Sequence, residues 1–272
     1  MKSGTQSPGI DRLVLKAAAC LAMLADHVGY RFYRVFPAAS LLRTAGRIAF
    51  PIFAFMVAEG AKKSRNRQKY LLRLFIFGLV SEPVYDFFLY GKAFSLKGAN
   101  VMFTLALGLA SVILYDAIQG CAAGKGPASG AALKIAAFIP LLVFSAAAEF
   151  ASADYGMYGV LLVFLYYLSE TGSASGNALV AGITLIFAAR FLLIRSFRLV
   201  LSAVFSAAAP EPPGSWQSTQ VFAAASLVLI LTYNRSPGPY GLENRPAAKT
   251  ALKYFFYLFY PLHLLILCLI PV

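Results

Sequence analysis

The chain has 272 residues, 60% of them hydrophobic, and a formal net charge of +13. Its mean hydropathy is +0.71. Soluble domains sit near about 45–50% apolar, so an ordinary soluble domain is excluded. The apolar residues fall in continuous blocks of about 16–21, near the length that crosses a bilayer as a helix. Continuous blocks also exclude the alternating pattern of an outer-membrane barrel. The basic residues lie mainly between the blocks, which makes anionic membrane lipids, and no nucleic acid, the expected partners.

The predicted fold is an all-α polytopic bundle, a single transmembrane domain over 1–272. About nine spans are expected, near 13–30, 44–60, 70–90, 100–118, 132–150, 156–170, 177–195, 217–234 and 252–270. The opening MKSGTQSPGIDRLVLK lacks a cleavage pattern, so the first block is expected to stay in the mature protein. Residues 197–209 are apolar but short and precede Pro210, Pro212 and Pro213, which predicts a re-entrant or interfacial segment over a tenth span. The Gly/Pro/Ser-rich stretches 120–130 and 234–246 read as loops. Cys20, Cys121 and Cys268 lie far apart and form no CxxC pair, so no disulfide or metal framework is expected.

The first block, LVLKAAACLAMLADHVGY, carries Lys16 and His27 eleven residues apart. Eleven helical steps close three turns and rise about 16 Å, so Lys16, Cys20, Met23 and His27 share a stripe. Asp26 adjoins His27 but points elsewhere, because neighbouring helical residues do not face each other. A contact with another helix, or with an arginine such as Arg47, is expected instead. His27 reads as a functional base or as a simple interhelical hydrogen bond.

The second block, GRIAFPIFAFMVAEG, places Arg47 at one end and Glu59 at the other, with a possible kink at Pro51. Arg47 lies either at the depth of His27 or among headgroups. Glu59 is a candidate partner for Lys62 or Lys63. The next loop, AKKSRNRQKYLLR, holds Lys62, Lys63, Arg65, Arg67, Lys69 and Arg73 and no acid. That loop and the amino terminus, with Lys2, Arg12 and Lys16, are therefore expected to be cytoplasmic. Arg31, Arg34, Arg43 and Arg47 then fall outside, against the rule.

In the third block Glu82 and Asp86 share a face beside Pro83. Two carboxylates there need partners or protons. Asn100 and Thr104 open the fourth block on one face. Asp154, in DYGMYG, reads as a helix cap or as part of an outer polar site. His263 lies within the aromatic last block, KYFFYLFYPLHLL, after Tyr260 and Pro261.

Six pieces in order resemble the TraX family, named for a pilin N-acetylase. They are LKAAACLAMLADHVG, GRIAFPIFAFMVAEG, KYLLRLFIFGLVSEPVYD, NVMFTLALGL, DYGMYGVL and YFFYLFYPLHLL. The family is similar to the membrane acyltransferase-3 enzymes, in which an arginine and a histidine eleven residues apart on the first helix mark the site. Lys16 and His27 keep that spacing, with a point charge in place of a bidentate fork.

The resemblance implies an acetyltransferase of the bacterial cytoplasmic membrane. Acetyl-CoA would be the donor, and a peptide, glycan or small amine the acyl acceptor near the outer face. His27 would be the base, with Asp26 and Arg47 in the catalytic set. Arg47 or Asn100 would stabilise the oxyanion. Lys16, Lys62, Arg65 and Arg73 would hold the CoA phosphates, helped by Lys63 or Arg67. Glu82, Asp86, Asn100, Asp154 and His263 would face the acceptor. An acyl-Cys20 intermediate is a variant of this scheme. The rival classes are a proton-coupled small-molecule transporter, which also uses intramembrane carboxylates and histidines, and a scaffold. No oligomeric state is indicated.

Overall fold

The computed structural model describes residues 9–205, 219–236 and 245–271, with side chains given for all of these but 191–205. Every regular element among them is helical, and only two isolated bridges, Ile10 with Tyr233 and Thr171 with Ser173, occur. The elements in order are α1 (Arg12–Arg31), α2 (Ala39–Gly46), α3 (Ala49–Lys63), α4 (Arg67–Tyr90), α5 (Val101–Ala122), α6 (Pro127–Ala136), α7 (Ile139–Phe150), α8 (Gly156–Leu168) and α9 (Ala174–Phe205). A 3-10 turn (Thr219–Ala225), α10 (Ser226–Leu231) and α11 (Pro246–Leu269) follow.

Among the described residues, five helical stretches are long and apolar enough to cross a membrane: 12–31, 39–63, 101–122, 127–150 and 246–269. Three more, 156–168, 174–190 and 219–231, are apolar but shorter. The protein is an α-helical membrane protein, and by length and composition five spans stand where nine were expected. The outward faces fit a lipid solvent. Leu21, Leu79, Leu142, Leu262 and Ile266 are each half or more exposed, a pattern a water-soluble surface rarely tolerates over several helices.

The sequence explains the helix ends. Asp11 caps α1, its Oδ1 accepting from Leu13 N at 2.8 Å and Val14 N at 2.9 Å. Asn66 caps α4 through Lys69 N, and Asn100 caps α5 through Met102 N. Pro51 has no N–H to give the carbonyl four residues back, that of Arg47. The break between α2 and α3 falls at residues 47–48, and Pro51 sits in the first turn of α3, where a missing donor costs little. α4 and α11 run through Pro83 and Pro261 without interruption.

The segment expected to be re-entrant or interfacial, 197–209, is described only in part. Residues 197–205 continue α9, while 206–209 lie outside the described residues. Nothing breaks the helix there, because no glycine or proline occurs between Gly182 and Pro210. The expected loop at 120–130 is shorter than predicted, confined to 123–126. Most of the expected loop at 234–246, residues 237–244, lies outside the described residues, as does Lys2.

The chain divides into two compact units, one of 1–53 and 177–256, the other of 54–176 and 257–271. In the first, α1 and α2 form a close antiparallel pair. Gly46 permits it, since a Cβ there would lie 2.3 Å from Asp26 Cβ. Gly29 does the same one turn on, where a Cβ would meet Ala39 O at 2.6 Å. Ile10 joins the chain at 232–234 through Ile10 N to Thr232 O and Asn234 N to Ile10 O, both 2.9 Å. Phe50 stacks on Phe187.

In the second unit α5 is central, packing against α4, α6, α7 and α8. Gly108 lets α8 approach until a Cβ would lie 2.7 Å from Val163 Cβ. Tyr115, Phe138 and Phe164 form an edge-to-face triad around it.

Candidate functional site

The first unit holds a buried ionic cluster next to His27. Asp26 leaves α1 toward α2 and meets two arginines. Arg43 Nη1 donates to Asp26 Oδ2 at 2.6 Å, and Arg47 Nη2 donates to Asp26 Oδ1. Arg47 Nε also donates to Arg43 O at 3.1 Å, and its Nη1 to Gln220 Oε1 at 3.3 Å. Arg43 packs over the Tyr30 ring. The side chains of Asp26, Arg43 and Arg47 keep only 15%, 12% and 10% of their surface exposed. Arg47 is thus a partner of Asp26, as one expected alternative had it. In so dry a setting each charge depends on the others.

α1 is unbroken from Lys16 to His27, so the stripe expected from the spacing exists. Cys20 and Met23 on it are buried, and Lys16 and His27 are half-buried. The Lys16 ammonium lies 5.2 Å from the centre of the Phe256 ring. Asp26 and Arg47 come together, and Lys16 lies at the opposite end of α1.

The second unit holds two further clusters. On α4, Glu82 Oε2 accepts from Asn100 N at 3.0 Å and from Asn100 Nδ2. Asn100 Nδ2 also donates to Gly78 O. Asp86, one turn on and 1% exposed, accepts from Ser95 N at 2.7 Å through Oδ2. Its Oδ1 is buried without a hydrogen-bond partner. Asp154 N donates to Ala99 O, and the Thr104 hydroxyl donates to Asp154 O. Asp154 therefore neighbours the Glu82–Asn100 pair but does not cap α8. That helix starts after Tyr155, and Glu149 Oε2 accepts from Met157 N there.

The other cluster gathers basic residues. Arg67 Nη1 and the Tyr167 hydroxyl both donate to Asp116 Oδ2. Lys62 Nζ reaches the carbonyls of Tyr166 and Ser169 at the end of α8. Lys63 pairs with Glu59 at 2.8 Å, as one expected alternative for Glu59 had it. Arg65 is exposed, and Arg73 packs over Tyr70 on its own helix. His263 is 5% exposed, stacked on Phe259, its Nδ1 2.7 Å from Phe259 O. Its second nitrogen, Nε2, is then the acceptor of the neutral ring. Among the described residues no group of three or more His, Cys, Asp or Glu side chains suits a metal ion.

The model of the TraX protein family matches residues 11–271. The chain belongs to the TraX family. It is also 27% identical over 268 residues, 93% of each chain, to a probable fimbrial assembly protein FimC, serogroup H1, of Dichelobacter nodosus. No solved structure matches.

The contacts of three participants escaped the sequence reading of this TraX chain. Arg43 precedes Arg47 by one helical turn, so the shared face was legible in RTAGR. Asp116 was visible as an acid near the end of the fourth block. Gln220 carried no local signal, since it is 173 residues from Arg47.

Proposed function

We propose that this TraX chain is a membrane acetyltransferase that moves an acetyl group from acetyl-CoA to an amine. The observation that carries the reading is α1 itself. One unbroken helix bears Lys16 and His27 on a single stripe, with the Asp26–Arg43–Arg47 clamp beside His27. The clamp fixes the helix around His27 while occupying Asp26, so Asp26 and Arg47 are positioning residues and His27 is the base.

In the proposed step the His27 imidazole takes the proton of the acceptor nitrogen as that nitrogen attacks the thioester carbonyl. The C–N bond forms, the C–S bond breaks, and the CoA thiolate leaves, to be reprotonated from His27. Lys16 supplies positive charge for the donor's phosphates. Lys62, Arg65 and Arg73 belong to the other unit; of these Arg65, which is exposed, suits a first encounter with an anion, and Arg73 and Lys62 are more tied to their own surroundings. Glu82, Asp86, Asn100 and Asp154 are assigned the acceptor. The buried Asp86 Oδ1 supports this, because a carboxylate oxygen without a donor favours the N–H of an amine. His263 is kept as a secondary acceptor contact. The relative named for fimbrial assembly supports a surface-peptide amine over a glycan as acceptor.

We place the chain in the bacterial cytoplasmic membrane, amino terminus inside, from its Lys/Arg pattern. α4 is read as a further span. It presents Leu72, Phe75, Ile76, Leu79 and Val80 outward and turns Glu82 and Asp86 inward.

The test uses purified protein in detergent with radiolabelled acetyl-CoA and a panel of amine-bearing peptides and glycans. Wild type should label a peptide, and His27→Ala should lower the rate by about 10²–10⁴-fold, the usual worth of a general base. A His27→Ala rate equal to wild type would remove His27 from the chemistry. The same buried Asp86 also suits a proton-coupled carrier. If no acceptor is labelled and calorimetry detects no CoA binding, while proteoliposomes show pH-driven uptake, the carrier replaces the transferase.

A further inference from the structure

We infer that the cluster of Asp26, Arg43, Arg47 and Gln220 binds the phosphate of a lipid headgroup. The case starts from Gln220, which is 3% exposed. Its Oε1 accepts from Arg47 Nη1. A guanidinium only donates, so this contact fixes which end of the amide faces the arginine. The amide nitrogen Nε2 then sits beside the cluster as a buried donor without an acceptor. A buried donor of that kind costs stability until an oxygen meets it.

The charge points the same way. Residues 24–53 contain four arginines (Arg31, Arg34, Arg43, Arg47) and one acid, Asp26, a local excess of three positive charges. These are the arginines that run against the positive-inside rule. The acetyl-transfer scheme uses Arg43 and Arg47 only to fix α1. Guanidinium forks and an amide N–H match the several oxygens of a phosphate.

The corner between α1 and α2 indicates where that phosphate comes from. Tyr30 and Tyr33 are 38% and 46% exposed, and Val35 and Leu41 are 59% and 70% exposed. Exposed tyrosines mixed with arginine and aliphatic side chains are the signature of headgroup depth. A lipid phosphate is already concentrated there, and its acyl chains would cover the aliphatic residues. The Lys16 end of α1 lies ten residues away, about 15 Å along the helix, so this site is separate from the anion site proposed for the donor.

Native mass spectrometry of the full chain, purified, delipidated and titrated with phosphatidylglycerol in detergent, tests the site. Lipid retention is read without any acyl transfer, so it stands or falls apart from the enzymatic reading. Wild type should retain one tightly held lipid. Gln220→Glu keeps an oxygen for Arg47, and so the fold, but replaces the donor with a negative charge. It should weaken retention by about tenfold or more, the worth of losing one hydrogen bond to a charged group. Gln220→Leu should act in the same direction, with circular dichroism and thermal melting confirming the fold. Equal retention by wild type and Gln220→Glu overturns the site. Displacement of the lipid by low-millimolar inorganic phosphate, with the same Gln220 dependence, overturns the lipid source and makes free phosphate the ligand.

Discussion

Two ion clusters of similar composition sit in different solvents within this molecule. Asp26 meets Arg43 and Arg47 with 10–15% of each side chain exposed. Asp116 meets Arg67 and Tyr167 with 33% of Asp116 and 28% of Arg67 exposed. The bonding is alike, a carboxylate taking donors from two neighbours. What differs is the water. Around Asp116, solvent screens the pair and replaces any lost partner. Around Asp26 little water reaches the pair, and removal of the carboxylate takes a partner from both Arg43 and Arg47 where solvent replaces it poorly. The lesson is that the first cluster fixes the α1–α2 geometry, while the second mainly decorates the surface.

Four substitutions sharpen that contrast. The largest effect is expected from Asp26→Asn, which should destabilise by about 3–5 kcal/mol, the cost of breaking a buried pair from one side. Thermal unfolding in detergent reads it. Adding Arg43→Gln should recover part of the loss, because the pair is non-additive. A fully additive double mutant would show that the two charges do not interact.

Gly46→Ala comes next. The new Cβ would overlap Asp26, whose Cβ stands 2.3 Å away, so α1 and α2 must separate. Overpacking of this kind costs about 1–3 kcal/mol. Acetyl transfer, if His27 performs it, should fall with it, and a melt unchanged from wild type would contradict the close approach. The smallest effect belongs to Asp116→Asn, expected at about 1 kcal/mol or less and shrinking further in high salt. A loss as large as that of Asp26→Asn would mean that the Asp116 cluster also carries the fold.

The candidate site was legible in part. Lys16 and His27 on one stripe followed from helical periodicity alone, and α1 carries them so. The expectation that Asp26 would turn from His27 toward an arginine such as Arg47 also followed from geometry. A helix sends adjacent residues in different directions, and a buried carboxylate seeks the nearest cation. The pairing of Arg43 with Asp26 was not drawn although Arg43 shares a face with Arg47. The pairing of Glu82 with Asn100 was not drawn, even though both had been singled out separately. The continuation of α9 to Phe205 was not drawn, because the prolines that follow 197–209 were given weight over a stretch that contains none.

The sequence by itself determined that the chain is helical and membranous, where most helices start and stop, and which polar residues lie within apolar blocks. Those features depend on hydropathy, capping and periodicity, which act over a few residues. Only the tertiary structure decided that Asp26 clamps two arginines, that Gln220 stands beside them from 173 positions along the chain, and that Asp86 keeps a buried oxygen without a donor. Such contacts depend on which helices approach each other. That approach is set by small residues such as Gly46 at the crossing, together with the need of each buried charge for a partner where no water is at hand.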